Sequence, residues 1–119
     1  MKMFRGAALV LTLMACLGVS VAAMTAHGGW IEENSGQIAC QGSMWYADST
    51  RLVTVRIFDP NGQQIAFASQ GANSIGFRPV VYPSVAAAMS GTYHCNVVFE
   101  EEHRNLTYEY DEQDYYLTR

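Results

Sequence analysis

Basic residues are scarce in this 119-residue chain, and lysine occurs only once, at Lys2. Seven basic residues stand against 11 acidic ones, so the formal net charge is −4. Beyond Lys2 and Arg5 the bases are five scattered arginines, and against the 11 acids they give the rest of the chain a net charge of −6. A protein without a basic cluster lacks the electrostatic footprint for nucleic acid or an anionic lipid surface. We therefore expect neither as a partner.

The sequence also lacks the short motifs that identify common catalytic sites. It contains no Gly-x-Ser-x-Gly elbow, no phosphate-binding loop and no His-Glu-x-x-His pair. Low-complexity segments and internal repeats are missing as well. We therefore expect a protein that is not an enzyme and that carries no cofactor.

The one long apolar run of the chain lies at its N-terminus. Lys2 and Arg5 precede residues 6–23, an almost purely apolar segment that ends in small residues. This order is typical of a secretory signal peptide. Cleavage after Ala23 places small residues at the recognition positions, and cleavage after Ala26 is the alternative.

Two other interpretations of the N-terminus remain. An uncleaved membrane anchor needs about 20 apolar residues, and this run falls slightly short. Bacterial lipidation at Cys16 is the second, because Leu-Met-Ala precedes that cysteine as in a lipobox. We expect residues 1–23 to be a signal peptide and residues 24–119 to form one secreted or periplasmic domain, with no membrane contact after cleavage unless Cys16 is lipidated.

Export changes the cysteine count. The chain has three cysteines, and removal of Cys16 with the signal leaves Cys40 and Cys95. An even pair in an oxidising compartment predicts a disulfide and leaves no free thiol as a nucleophile.

Beyond the signal segment, apolar and polar residues alternate with period two, which indicates β-strands. The sequence Asp-Pro-Asn-Gly at 59–62 is a strong turn signal and predicts a hairpin between the strands on either side. Pro79 interrupts another segment and predicts an edge strand or a bulge there. The predicted strands cover residues 30–33, 37–41, 52–58, 64–69, 75–82, 92–100 and 106–110.

A segment near the C-terminus resembles the E–F corner and F strand of immunoglobulin-superfamily domains. The residues that match the family's Asp-Ser-Gly-x-Tyr-x-Cys run are Ser90, Gly91, Tyr93 and Cys95. The resemblance implies that the Tyr93 hydroxyl bonds to the backbone a few residues upstream, near residues 88–90. Cys40 falls where the family's B-strand cysteine lies, whereas the family's C-strand tryptophan has no counterpart. The resemblance implies an all-β, immunoglobulin-like sandwich of about seven strands with one inter-sheet disulfide, Cys40–Cys95. It also implies adhesion or recognition, although fold analogy alone does not define a function.

The loop predicted over residues 42–50 carries the best candidates for partner binding. Trp45 and Tyr46 are adjacent there and lie close to Asp48. End loops of sandwich domains often bind partners, and Trp and Tyr are favoured anchors. The alternative is that Trp45 folds down to cover the core in place of the missing C-strand tryptophan.

Metal binding is a weaker prediction. Cleavage after Ala26 would expose His27 as an N-terminal residue, and an N-terminal histidine can chelate copper with a second histidine, for which His94 and His103 are the candidates. His94 is expected to point outward, and the C-terminal carboxylates have no calcium-loop spacing. We interpret His27 as a solvent-exposed histidine near a frayed terminus and these acids as a solvated face, and we assign no metal ligands.

The sequence thus predicts a secreted or periplasmic immunoglobulin-like binding module that recognises a protein or glycan partner. An exported structural or assembly subunit that uses an edge strand is the first alternative. A copper-binding β-sandwich with an N-terminal histidine is the second.

Overall fold

The computed structural model describes residues 23–119, and this part of the chain contains eight β-strands and no helix. The strands are β1 His27–Asn34, β2 Gln37–Met44, β3 Thr50–Phe58, β4 Gln64–Ala72, β5 Val80–Val81, β6 Ser84–Ala86, β7 Thr92–Glu102 and β8 Tyr108–Thr118. The signal peptide and the lipidation at Cys16 that the sequence predicts lie outside the described residues.

The strands form two antiparallel sheets that pack face to face. In the first sheet β2 pairs with β1 on one side and with the short strands β5 and β6 on the other. The second sheet has the order β4-β3-β7-β8. The predicted all-β sandwich is therefore confirmed, with eight strands instead of about seven.

The core lies between the sheets and is built by alternate residues of the central strands. Cys40 on β2 and Cys95 on β7 form a disulfide that joins the two sheets, as predicted. With 55 residues of sequence separation, the bridge contributes about 4 kcal/mol on the chain-entropy model. Such a bond indicates an oxidising, non-cytoplasmic environment. The other buried residues of the core are Ile38, Met44, Val53, Val55, Ile57, Val81, Tyr93, Val97 and Phe99.

The predicted hairpin joins β3 and β4 through the turn at residues 59–62. The Asp59 carboxylate accepts hydrogen bonds from the backbone N–H groups of Asn61 and Gln63, at 2.9 and 3.0 Å. Gly62 has a φ of 82°, a conformation that glycine adopts without a steric penalty. The local sequence is therefore sufficient to define this turn.

Tyr93 ties the start of β7 to the segment before it. Its hydroxyl donates to the Met89 carbonyl at 2.8 Å and accepts from the Met89 N–H at 3.1 Å. The side chain is buried. This is the upstream backbone tether that the Tyr-x-Cys pattern predicts.

Two strand predictions were wrong. The segment 75–82 is not one strand, because Pro79 and Pro83 lack the N–H that a ladder needs and only Val80–Val81 and Ser84–Ala86 pair with β2. The last strand runs over Tyr108–Thr118, not 106–110. Its acidic residues have low β-propensity, but as an edge strand β8 needs only one partner and one packed face.

Candidate binding surface

The loop Trp45–Ser49 connects β2 to β3 at one end of the sandwich. The side chains of Trp45 and Tyr46 are 57% and 47% exposed. Trp45 therefore does not cover the core, and the inward positions of β3 are filled by Val53, Val55 and Ile57. The backbone N–H of Trp45 donates to the Ala26 carbonyl at 2.9 Å, so the N-terminal segment helps to hold the loop.

Arg78 joins this aromatic pair from a distant part of the chain. Its guanidinium lies 4.6 Å from the ring centroid of Trp45 and 5.9 Å from that of Tyr46. The two rings meet edge to face at 5.6 Å. A guanidinium over an aromatic face is attracted by the ring quadrupole, so the three side chains hold one another in place. The sequence contained no local signal for Arg78, because only the tertiary fold brings it to Trp45.

Trp30 and Tyr82 extend the same surface along the first sheet. Trp30 on β1 is 49% exposed and Tyr82 is 51% exposed, and their rings are 6.5 Å apart. A shallow cleft of about 340 Å³ lies between Trp30, Trp45 and Arg78. We name Trp30, Trp45, Tyr46, Arg78 and Tyr82 together the aromatic surface.

Arg51, which is buried inside the sandwich, holds the two loops of this surface in place. Its buried guanidinium donates only to backbone carbonyls, which belong to two loops. On the Trp45 loop the acceptors are Trp45 at 2.9 Å and Ser49 at 3.2 Å. On the loop before β5 they are Phe77 at 3.0 Å and Ser74 at 2.7 Å. One arginine thus cross-links the loop that carries Trp45 to the loop that carries Arg78.

Glu101 anchors the other end of the Trp45 loop. This buried carboxylate accepts from the Ser49 hydroxyl at 2.5 Å and from the Thr25 N–H and hydroxyl at 2.7 and 2.6 Å. Burial alone would raise the pKa of Glu101, but the hydrogen bonds from Ser49 and Thr25 outweigh it and hold the pKa below its usual value. The expected solvated acidic face is therefore wrong for Glu101, which points inward by the alternation of β7, and for Asp111 on β8, which is also buried.

Asp48 lies apart from the aromatic cleft. Its carboxylate accepts two hydrogen bonds from Arg104, at 2.6 and 2.7 Å, and this partner lowers its pKa. It lines a separate depression of about 170 Å³ together with His103 and Leu106. The three candidates from one loop are thus divided between two surfaces, with Trp45 and Tyr46 on the aromatic surface.

The prediction of a solvent-exposed His27 was wrong, because its side chain is only 7% exposed and is enclosed by protein groups. Its Nδ1 lies 2.7 Å from the Thr25 carbonyl and its Nε2 lies 2.7 Å from Asp111 Oδ2. His94 stacks between Phe58 and Tyr116 on the outer face of the second sheet, as expected from its outward position. Among residues 23–119 no group of three or more His, Cys, Asp or Glu side chains is arranged to hold a metal ion.

No protein-family model matches the sequence. No curated protein matches it at a significant level either. Within residues 23–119 no helix is long and apolar enough to cross a membrane.

Proposed function

We propose that this chain is an exported, secreted or periplasmic, immunoglobulin-like module that binds a protein partner through the aromatic surface and catalyses no reaction. The observation that carries the proposal is the exposed cluster of Trp45, Tyr46 and Arg78. Trp, Tyr and Arg are the residue types most enriched at the energetic centres of protein interfaces. Here all three are solvent-exposed or half-exposed and in mutual contact.

The immunoglobulin-like assignment is supported by three features that occur together. The second sheet has the order β4-β3-β7-β8, which corresponds to the C′-C-F-G sheet of such domains. The disulfide joins β2 and β7, the equivalents of the B and F strands. The Tyr93 hydroxyl bonds back to Met89, as a tyrosine corner does.

Preorganisation of the surface favours recognition of a folded protein. The Arg51 guanidinium holds both contributing loops through their carbonyls, so little conformational entropy remains to be lost on binding. Trp30 and Tyr82 widen the apolar contact area beyond one loop. Contiguous exposed aromatic patches of this kind mark interaction sites.

Export is supported by the disulfide and by the signal-like N-terminus. The contacts of Thr25 and Ala26 favour cleavage after Ala23. Thr25 bonds to Glu101 and the Ala26 carbonyl accepts from Trp45, and cleavage after Ala26 would remove both contacts. Copper chelation by an N-terminal His27 would require cleavage after Ala26, so these contacts also argue against the copper-binding alternative.

Site-specific photo-crosslinking in the producing cell tests the function. A benzophenone amino acid replaces Tyr46 on the aromatic surface or, as a control, the similarly exposed Tyr116 on β8. We expect the probe at position 46 to give one discrete protein adduct that the control does not give.

A second variant separates binding from folding. Trp45→Ala should abolish the adduct while lowering the free energy of unfolding by only about 1 kcal/mol, because the side chain is 57% exposed and loses one cation–π contact. If both probe positions give the same adducts, the proposal that the aromatic surface binds the partner is wrong. If no protein adduct forms and the protein binds a glycan array in a way that requires Trp45, the partner is a glycan and not a protein.

A further inference from the structure

Three of the four sheet edges are protected against pairing with another chain. β1 carries Glu32 and Glu33. The opposite edge of the first sheet is divided into the short strands β5 and β6, which follow Pro79 and Pro83. β8 carries the outward-facing carboxylates of Glu112 and Asp114. Short strands, prolines and edge charges are the devices by which natural sheets avoid association.

β4 has none of these devices. Its nine residues, Gln64–Ala72, include no charge and no proline. Within the described part of the chain it pairs only with β3, and none of its residues is buried. The single irregularity of the ladder lies between Ile57 and Phe58, at the β4 residue nearest the turn. β4 is therefore a long, uncharged strand whose outer row of backbone groups pairs with no other described strand. Near its C-terminal end, the Gln70 side chain accepts a hydrogen bond from the Val80 N–H of β5, at 2.8 Å.

We propose that β4 is a self-association edge, on which β4 of a second copy of this chain pairs antiparallel about a two-fold axis. The two second sheets then form one eight-stranded sheet with the order β8-β7-β3-β4-β4-β3-β7-β8. An identical strand on each side is the isologous contact that closes a two-fold dimer. The inference is independent of the aromatic surface and stands without it.

The distribution of charge favours β4 as the edge through which two copies of this acidic chain meet. Residues 23–119 carry five arginines against 11 acids, so two copies repel wherever their acidic strands meet. Seven of the acids lie on β7 and β8. The β4 edge is three strand spacings from β8, about 14 Å, which exceeds the Debye length of about 8 Å at physiological salt. Pairing through β4 keeps the acidic strands at the two outer ends of the joined sheet.

Phe67 adds an apolar contact at the centre of this edge. Its ring is 54% exposed, although the Arg56 guanidinium lies 5.1 Å from its centroid. Ala68 is the middle residue of β4, so an axis near it brings Phe67 of one copy beside Ser69 or Phe67 of the other. Such cross-strand neighbours cover the ring on the side that β3 leaves open.

Charge reversal at Ser69, an exposed residue near the strand centre, tests the proposal. Sedimentation equilibrium of the mature protein, from micromolar to millimolar concentration, should give a weight-average mass that approaches twice that of the monomer. Ser69→Lys and Ser69→Glu should each weaken self-association at least tenfold, because like charges then face each other across the axis. A 1:1 mixture of the two variants should restore the dimer.

Thr118→Lys and Thr118→Glu on the exposed end of β8 are the matched controls, and each should associate as the parent protein does. Circular dichroism establishes that all four variants are folded. A parent protein that remains monomeric at millimolar concentration overturns the proposal. The proposal is also overturned if the Ser69 variants dimerise as the parent protein does, or if the 1:1 mixture of the two Ser69 variants stays monomeric.

Discussion

At the scale of single residues, the buried polar groups decide how the end of the sandwich is held. Glu101 and Arg51 are opposite charges inside the same end of the molecule, each almost fully buried. They do not pair with each other. Glu101 is satisfied by hydroxyl and N–H donors, and Arg51 by four carbonyls. Arg51 is thus compensated by carbonyl dipoles, and Glu101 by hydrogen-bond donors together with His103, whose Nε2 lies 3.8 Å from Glu101 Oε1. Such partners are the condition for burying a charge without a large penalty.

Because of Glu101, the free energy of unfolding should fall at acidic pH. Its pKa is lower in the folded chain than the usual 4.5, so its stabilisation is complete above that pH and is lost as the pH falls through the folded pKa. We expect Glu101→Gln to lower the free energy of unfolding at pH 7 by about 1.5–3 kcal/mol and to flatten the decline below pH 4.5.

Urea melts between pH 2 and pH 7 measure both effects. The neighbouring Glu109 acts in the opposite direction, because burial raises its pKa and the charge of Glu101 adds to this rise. The comparison is therefore repeated in a Glu109→Gln background, which removes that contribution. The exposed Glu102→Gln is the control and should change stability by less than about 0.5 kcal/mol. Equal acid slopes in parent and Glu101→Gln would contradict the assignment.

Tyr93→Phe should destabilise the protein by about 1–3 kcal/mol, because the ring stays in the core while the N–H and carbonyl of Met89 lose their partner. Chemical denaturation measures the loss. Tyr116→Phe on the exposed face of β8 is the matched control and should have no effect. An unchanged midpoint for Tyr93→Phe would show that water replaces the hydroxyl without cost.

At the scale of strands and loops, local signals were sufficient where a few adjacent residues determine the backbone. The turn at residues 59–62, the Tyr93 tether and the alternation of β3 were predicted correctly. β8 was underestimated because its inward positions begin with Glu109, Asp111 and Gln113, and apolar residues occupy them only from Tyr115 onward. The prediction of one strand over residues 75–82 was wrong because the prolines in this region interrupt the ladder and leave only the two short strands β5 and β6.

The disulfide acts at this scale, because it joins the central strands of the two sheets. Replacement of both Cys40 and Cys95 by alanine should lower the free energy of unfolding by about 2–5 kcal/mol. Thermal melts measure the loss, and the parent protein with reductant should approach the variant. Mass spectrometry after alkylation should find no free thiol in the unreduced mature protein. Two alkylated cysteines there would contradict the bridge.

Arg51→Met should uncouple the two loops of the aromatic surface. Methionine fills similar space but donates no hydrogen bond, so four carbonyls lose their donor and stability should fall by at least about 2 kcal/mol. In a Trp30→Phe background, iodide should quench the fluorescence of Trp45 more strongly in Arg51→Met than in the parent protein, because Arg78 no longer covers the Trp45 ring. Arg56→Met on the outer face of the second sheet is the control. Unchanged quenching in Arg51→Met would show that Arg78 holds its position alone.

At the scale of the whole molecule, charge and aromatic residues occupy different regions. The acids concentrate on β7 and β8 of one sheet, while the aromatic surface spans β1, two loops and the segment after β5. Trp45 and Tyr46 were predicted as binding residues from their loop. Trp30, Arg78 and Tyr82 were missed, because their proximity to Trp45 arises from the packing of distant segments and leaves no periodic signal in the chain.

The cross-link through Arg51 has a consequence for how this surface can change. All four of its acceptors are main-chain carbonyls, and every amino acid supplies one. The side chains at Trp45 and Phe77 can therefore be exchanged while the loops keep their shape. A library randomised at these positions should retain folded members with new ligands, so the domain separates the frame that holds its loops from the residues that choose what they bind.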